Sequence, residues 1–310
     1  MREQRLVPDT DFSSYYGRPV LKAPVWKQPD VPLYLFFGGL AGASAVLAEG
    51  AAWTGRPALQ RMSRIGAAGG AAFGTVALIH DLGRPARFLN MLRVFKPTSP
   101  LSVGSWILAP FTGLSAAALA ADVSGALPRM GRLAGVGAAA LGPGLATYTA
   151  ALIANTAVPA WHEGYRELPF LFGGSAATAA GGFALIGTPL DQSGPARRLA
   201  AIGAATDLAA GEVMRRRTGL AGEPYQRGRP GRLLLAARVM TAAGAGGALL
   251  SGRSRVLSML AGAACVSGSV LTRFGVFQAG LASAKDPKYT VVPQRDRLRA
   301  SSDAELVSAR

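Results

Sequence analysis

The chain contains one cysteine, Cys265, and two histidines, His80 and His162. A single cysteine excludes an intrachain disulfide. It also excludes an iron–sulfur cluster or structural zinc held by cysteines of this chain alone. Two histidines could ligate a membrane haem only from facing helices, and His162 follows Pro159 in what reads as a loop, so no haem is expected. Charge is scarce as well. Asp, Glu, Lys and Arg make up 16% of the residues, against about 25% in an ordinary soluble domain. Walker loop, dinucleotide fingerprint and zinc spacing are all missing. The first 30 residues are polar, carry Asp9, Asp11 and Asp30, and lack the apolar centre of a secretory signal peptide.

What the chain has in quantity is apolar sequence in long blocks. Half of its residues are hydrophobic, and the stretches 102–121, 133–161 and 168–190 contain no charged residue. About 20 apolar residues cross the ~30 Å hydrocarbon core as a helix. The pattern predicts an all-α, polytopic transmembrane protein with eight spans, near 32–54, 62–82, 102–122, 133–160, 168–190, 198–214, 233–251 and 256–279. The sixth span is the weakest, short and carrying Asp207 and Glu212. The expected organisation is a soluble arm over 1–31, a four-helix bundle over 32–165, a second over 166–280 and a tail over 281–310. The 40 glycines suit this class, because small residues let helices approach closely in lipid. Gly38, Gly42, Gly66, Gly70 and Gly74 carry small-x3-small spacings. Cys265 lies in an apolar run and reads as a small core residue.

The net charge of +16 does not point to nucleic acid, because the arginines sit between apolar blocks. They read as positive flanks of membrane spans. With eight spans, 22 of the 33 Lys and Arg residues fall on the side of the two termini, and 9 on the other. That excess places both termini in the cytoplasm of a prokaryotic cell membrane.

The loop 80–100 is too polar and too specified for a plain connection. His80 and Asp81 lie within a turn of its side of the membrane, with Asn155 and then Tyr148 deeper on the fourth span. A tyrosine, a histidine, an aspartate and an asparagine at one level could surround a ligand that needs hydrogen bonds and protons at its polar head. Each also has a plainer use. His80 could cap a helix end, His162 could be a loop histidine, Tyr148 could bond a backbone carbonyl, and Asp81 with Gly83 could end a helix. Arg84, Arg87, Arg93 and Lys96 present four cations that could be simple anchors or a docking face for an acidic partner. Asp207, Glu212, Arg238 and Arg273 fall within the last three spans, where ionisable residues normally pair or line water. Ion pairs among them are expected. Glu49, near the far end of the first span, is expected to pair at the interface with an arginine of the 56–64 region.

The segment His80-Asp81-Leu82-Gly83-Arg84-Pro85, with Arg87-Phe88 and Asn90-Met91-Leu92-Arg93, resembles the NrfD/polysulfide reductase-type membrane subunits. Pro97-Thr98-Ser99-Pro100, Ser102-Val103-Gly104-Ser105-Trp106 and Tyr34-Leu35-Phe36-Phe37-Gly38-Gly39-Leu40-Ala41-Gly42 extend the likeness, and Tyr15-Tyr16-Gly17-Arg18-Pro19-Val20 resembles an N-terminal arm of one branch. The resemblance implies a quinone-interacting anchor of a molybdenum and iron–sulfur oxidoreductase, with no redox cofactor of its own. A partner iron–sulfur subunit and a catalytic molybdenum-type subunit would sit on one face. Menaquinone or ubiquinone would be the substrate in the N-terminal bundle. Tyr148 would match a quinone-contacting tyrosine, and Trp26, Asp30 and Tyr34 are candidates by location. The rival readings are an ion-coupled transporter or proton-translocating module without quinone chemistry, and a purely structural anchor. No paired broken helices of the transporter kind are visible.

Overall fold

A computed structural model describes residues 20–22, 24–84 and 86–296. Tyr15 to Pro19, Pro85 and the tail beyond 296 therefore lie outside the described residues. Among the described residues every regular element is helical. In order these are α1 (Asp30–Trp53), α2 (Pro57–Leu82), α3 (Ala86–Met91), α4 (Pro100–Ser124), α5 (Pro128–Ala154), α6 (Pro159–Glu163), α7 (Leu168–Gly187), α8 (Gly194–Arg217), α9 (Gly228–Leu250) and α10 (Arg255–Lys285). A 3-10 turn, Gly219–Tyr225, joins α8 to α9, and residues 288–296 are again helical.

Local sequence explains many of the boundaries. Proline opens α2, α4, α5, α7 and α8, where the missing N–H costs nothing. Ser99 caps α4 by accepting from the Ser102 N–H. Gly83, at φ 72°, ends α2 in a conformation that side-chain-bearing residues avoid. One expected boundary is wrong. The fourth span was placed at 133–160, but α5 covers Pro128–Ala154, and the chain then turns out into the separate helix α6. Val158, just before Pro159, is extended, as residues preceding proline tend to be. The apolar sequence runs on past the end of the helix, so hydropathy hides the break.

Seven helices are long and apolar enough to cross a membrane: α1, α2, α4, α5, α7, α9 and α10. Composition alone leaves out α8, because arginines crowd its two ends. Its packing supplies the eighth crossing. At one end Arg217 reaches Glu167 and the Glu163 carbonyl beside the start of α7. Further along, Gly203 lies against Gly174, and Ala200 against Gly181. α8 thus runs antiparallel to α7 along its length and crosses wherever α7 does. The protein is a multi-pass membrane protein.

This up-and-down order puts the arm, the loop 83–99, α6, the 3-10 turn and residues 288–296 on one face, called here the near face. Short connections at 54–56, 125–127, 188–193 and 251–254 make the far face. α1 is the common element. It packs on α2 and α5 and also on α7 and α10. In lipid, van der Waals fit replaces the hydrophobic force between helices. Gly42 and Gly142 let the α1 and α5 backbones meet directly, with each carbonyl in the space a side chain would need. Gly142→Ala should therefore cost about 1–3 kcal/mol through overpacking. The readout is a lower thermal midpoint of the purified protein in detergent. Gly50→Ala, which points into open space, should leave that midpoint unchanged.

Candidate functional site

A file of polar side chains runs along one face of α1 at its near end. Asp30 and Tyr34 are four residues apart, which places them one above the other on a helix. His80, in the last turn of α2, donates from Nδ1 to Asp30 Oδ2 at 2.7 Å. Tyr34 meets Tyr148 of α5 edge to face, with ring centroids 6.4 Å apart. Tyr148 is 8% exposed, and its hydroxyl makes no hydrogen bond among the described residues. Gly104 of α4 makes room for the Tyr148 ring; a Cβ there would overlap it. The His80 side chain is 74% exposed. The file thus has an aqueous end at His80 and a buried end at a free phenol.

The other two expected members behave differently. Asp81 is turned to the arm, where Oδ1 accepts from the Lys27 backbone N–H at 2.9 Å, while Lys27 Nζ donates to the His80 carbonyl at 3.3 Å. Its role is to pin the arm on α2. Asn155 caps α5 and is exposed. His162 lies in α6 and not in a loop; it is exposed, and its ring contacts the Ala154 carbonyl.

The arm is held a second way. Trp26 stacks on Trp161 at 5.6 Å, and Trp161 packs on Phe277 at the same distance. Trp161 Nε1 donates to the Val276 carbonyl at 2.8 Å, and the Tyr225 hydroxyl donates to the Ala160 carbonyl at 2.9 Å. α6 is therefore a wedge that joins the arm to α10. Nearby, Glu223 accepts from Lys288 and Tyr289, and Lys288 holds its carboxyl below the usual glutamate range.

The near face also carries the cationic loop. Arg84, Arg87, Arg93 and Lys96 are all exposed, and none of the described residues of α3 is buried. Leu89, Val94 and Phe95 stand out among them, also exposed. In the last three spans the expected pairing does not form. Glu212 turns to Arg215 and Arg216 on its own helix, not to Arg238 or Arg273. Arginines three and four residues away on a helix are closer than any across a bundle. Arg273 is fully buried, donates to the carbonyls of Leu35 and Phe172, and lies 3.7 Å over the Phe172 ring. Asp207 is buried within reach of its field, but makes no ion-pair contact among the described residues. Asp207 and the exposed Arg238 line one cavity between α8 and α9.

The geometry defines a helical membrane protein in which α1 carries both an Asp30–His80 pair and a buried tyrosine pair, on the side of a basic loop. The NrfD (polysulphide reductase) family model matches residues 21–197, more than half of the chain. The chain belongs to this family, whose members pair with other subunits of redox complexes. The match takes in α1 to α7 and the start of α8 and leaves out the rest of the C-terminal helices. A comparison with curated proteins found no match.

The sequence pointed to Tyr148 and His80 and, by location, to Asp30 and Tyr34, but not to the pairing of Asp30 with His80 or of Tyr34 with Tyr148. The four-residue spacing of Asp30 and Tyr34 was the available signal. The fit of Tyr148 against Gly104 gives a direct check. Gly104→Ala should destabilise the protein by about 1–3 kcal/mol. Tyr148→Ala in the same chain should recover most of that loss, whereas Tyr148→Phe, which keeps the ring, should recover none. A double-mutant cycle on thermal midpoints reads this coupling.

Proposed function

We propose that this protein is the quinone-reactive membrane subunit of a multi-subunit oxidoreductase. It exchanges electrons between a partner iron–sulfur subunit and the membrane quinone pool, while a molybdenum-type subunit carries the substrate chemistry. The observation that carries this reading is the buried Tyr148 hydroxyl, without a hydrogen-bond partner among the described residues, whose ring meets Tyr34 on the helix that also presents Asp30 to His80. The quinone, menaquinone or ubiquinone, is a substrate. Its reduction to the quinol takes two electrons and two protons. Tyr148 Oη–H donates to one ring carbonyl. His80 is exposed and exchanges protons at the surface while Asp30 orients its ring through Nδ1. The partner delivers the electrons.

The exposed cations of the loop 83–99 and the apolar Leu89, Val94 and Phe95 beside them suit a docking face on the same side as His80. With both termini in the cytoplasm of a prokaryotic cell, as the basic excess favours, that face is cytoplasmic.

Losing one hydrogen bond in a buried site costs about 1–3 kcal/mol. Tyr148→Phe should thus slow quinone turnover by roughly 5- to 150-fold in the assembled complex. Reduction of a water-soluble acceptor should survive, because it bypasses the quinone. If Tyr148→Phe and His80→Ala both leave quinone turnover intact, the quinone reacts elsewhere. The docking face has its own test. Reversing Arg87 and Arg93 to Glu should reduce recovery of the complex, most strongly at low salt, where charge complementarity counts most. Equal recovery at low and high salt would move the interface away from this loop.

A further inference from the structure

The far end of the first four spanning helices holds a second polar cluster that the quinone site does not use. Glu49 of α1 is 2% exposed, and its Oε1 meets Arg64 Nη2 of α2 at 3.3 Å. Arg64 Nη1 reaches Asp122 Oδ1 of α4 at 3.5 Å, and Arg61 Nε lies 3.6 Å from Asp122 Oδ2. α5 contributes only Gly135, whose bare backbone leaves room for the Glu49 carboxylate. The pairing expected for Glu49 is therefore present, but it is incomplete. Glu49 Oε2, Arg64 Nε, and the hydroxyls of Ser63 and Ser44 are buried and make no hydrogen bond among the described residues.

Arg64 also donates to the Ala118 carbonyl and can donate to the Gln60 amide oxygen, so the shortfall of the pair lies at Glu49 Oε2 and Arg64 Nε, and burying an ion pair with such groups unsatisfied is expensive. Buried polar groups in native proteins are satisfied, by ordered water where protein atoms do not serve. A route for that water is at hand. A cavity of about 540 Å³ opens on the far face between α2, α4 and the end of α7, and Arg61 and Asp122 line it. Asp122 belongs to both the cavity wall and the buried cluster. Charged and titratable groups facing Glu49 come from α2, as Arg61 and Arg64, and from α4, as Asp122.

We propose that Glu49, Arg64 and Asp122 form a hydrated proton-exchange site that opens on the far face, opposite the docking loop. Water entering past Asp122 reaches Glu49. A hydronium ion gives its proton to Glu49 Oε2 and leaves as water; the reverse step returns the proton. Arg64 stays charged and holds both carboxylates in place. This inference rests on the helix arrangement and stands whether or not the near-face site takes a quinone.

Cysteine accessibility tests the hydration. The full chain, in lipid nanodiscs and with Cys265→Ala, would carry either Ser63→Cys or Ser175→Cys. Ser175 is equally buried but is paired with Ser269 in the protein interior. A small membrane-impermeant methanethiosulfonate should modify position 63 at least about tenfold faster, since a thiol must meet water to ionise and react. Infrared spectra of the otherwise unmodified protein should show a Glu49 carboxyl signal that shifts promptly in heavy water and is absent from Glu49→Gln. If Glu49→Gln does not fold, Glu49→Asp, which keeps the charge and moves the signal, makes the assignment. Equal thiol rates at 63 and 175, or a Glu49 signal that does not respond to heavy water, would each show a dry ion pair and overturn the proposal.

Discussion

Close contact between helix backbones governs this structure. Lipid tails give helices no hydrophobic reason to associate, so the chain relies on fit. Gly42 against Gly142, Gly174 against Gly203 and Gly182 against Gly262 bring three helix pairs together at their backbones. The same device shapes the site. Gly104 admits the Tyr148 ring, and Gly135 admits the Glu49 carboxylate. The glycine and alanine content is thus what allows large polar side chains to be enclosed without opening the bundle to lipid.

The two polar clusters divide the labour between the ends of the first four spanning helices. At the near end, Asp30 holds the exposed His80, and Tyr34, four residues on, meets the buried Tyr148 ring. At the far end, Arg64 bridges two carboxylates beneath an open cavity. Both rely on α1, which carries Asp30, Tyr34 and Glu49. With the proposed quinone site near one face and protonatable groups near the other, the direction of proton uptake matters.

Much of this was legible from residue types and spacing. The spans follow from blocks without charge, and the Glu49–Arg64 pair follows from the cost of a lone charge near a span end. Three features were not legible, each for a physical reason. α5 stops at Ala154 because of backbone preferences before Pro159, while the apolar sequence continues. Glu212 satisfies itself with neighbours on its own helix, and a list of charged residues cannot show that preference. The meeting of Tyr34 with Tyr148 depends on how α1 and α5 are rotated, which no single-chain periodicity fixes.

Arg273 adds a constraint of a different kind. Its guanidinium, on α10, grips the Leu35 carbonyl on α1 and the Phe172 carbonyl on α7. Leu35 is the neighbour of Tyr34. The region matched by the family ends at residue 197, well before Arg273. The stretch that carries the ancestry is therefore not a unit that can be cut out and kept whole. Severed after α7, it would lose the clamp beside its own tyrosine pair and expose the face of α1 that α10 covers. Inheritance and mechanical integrity have different boundaries in this chain.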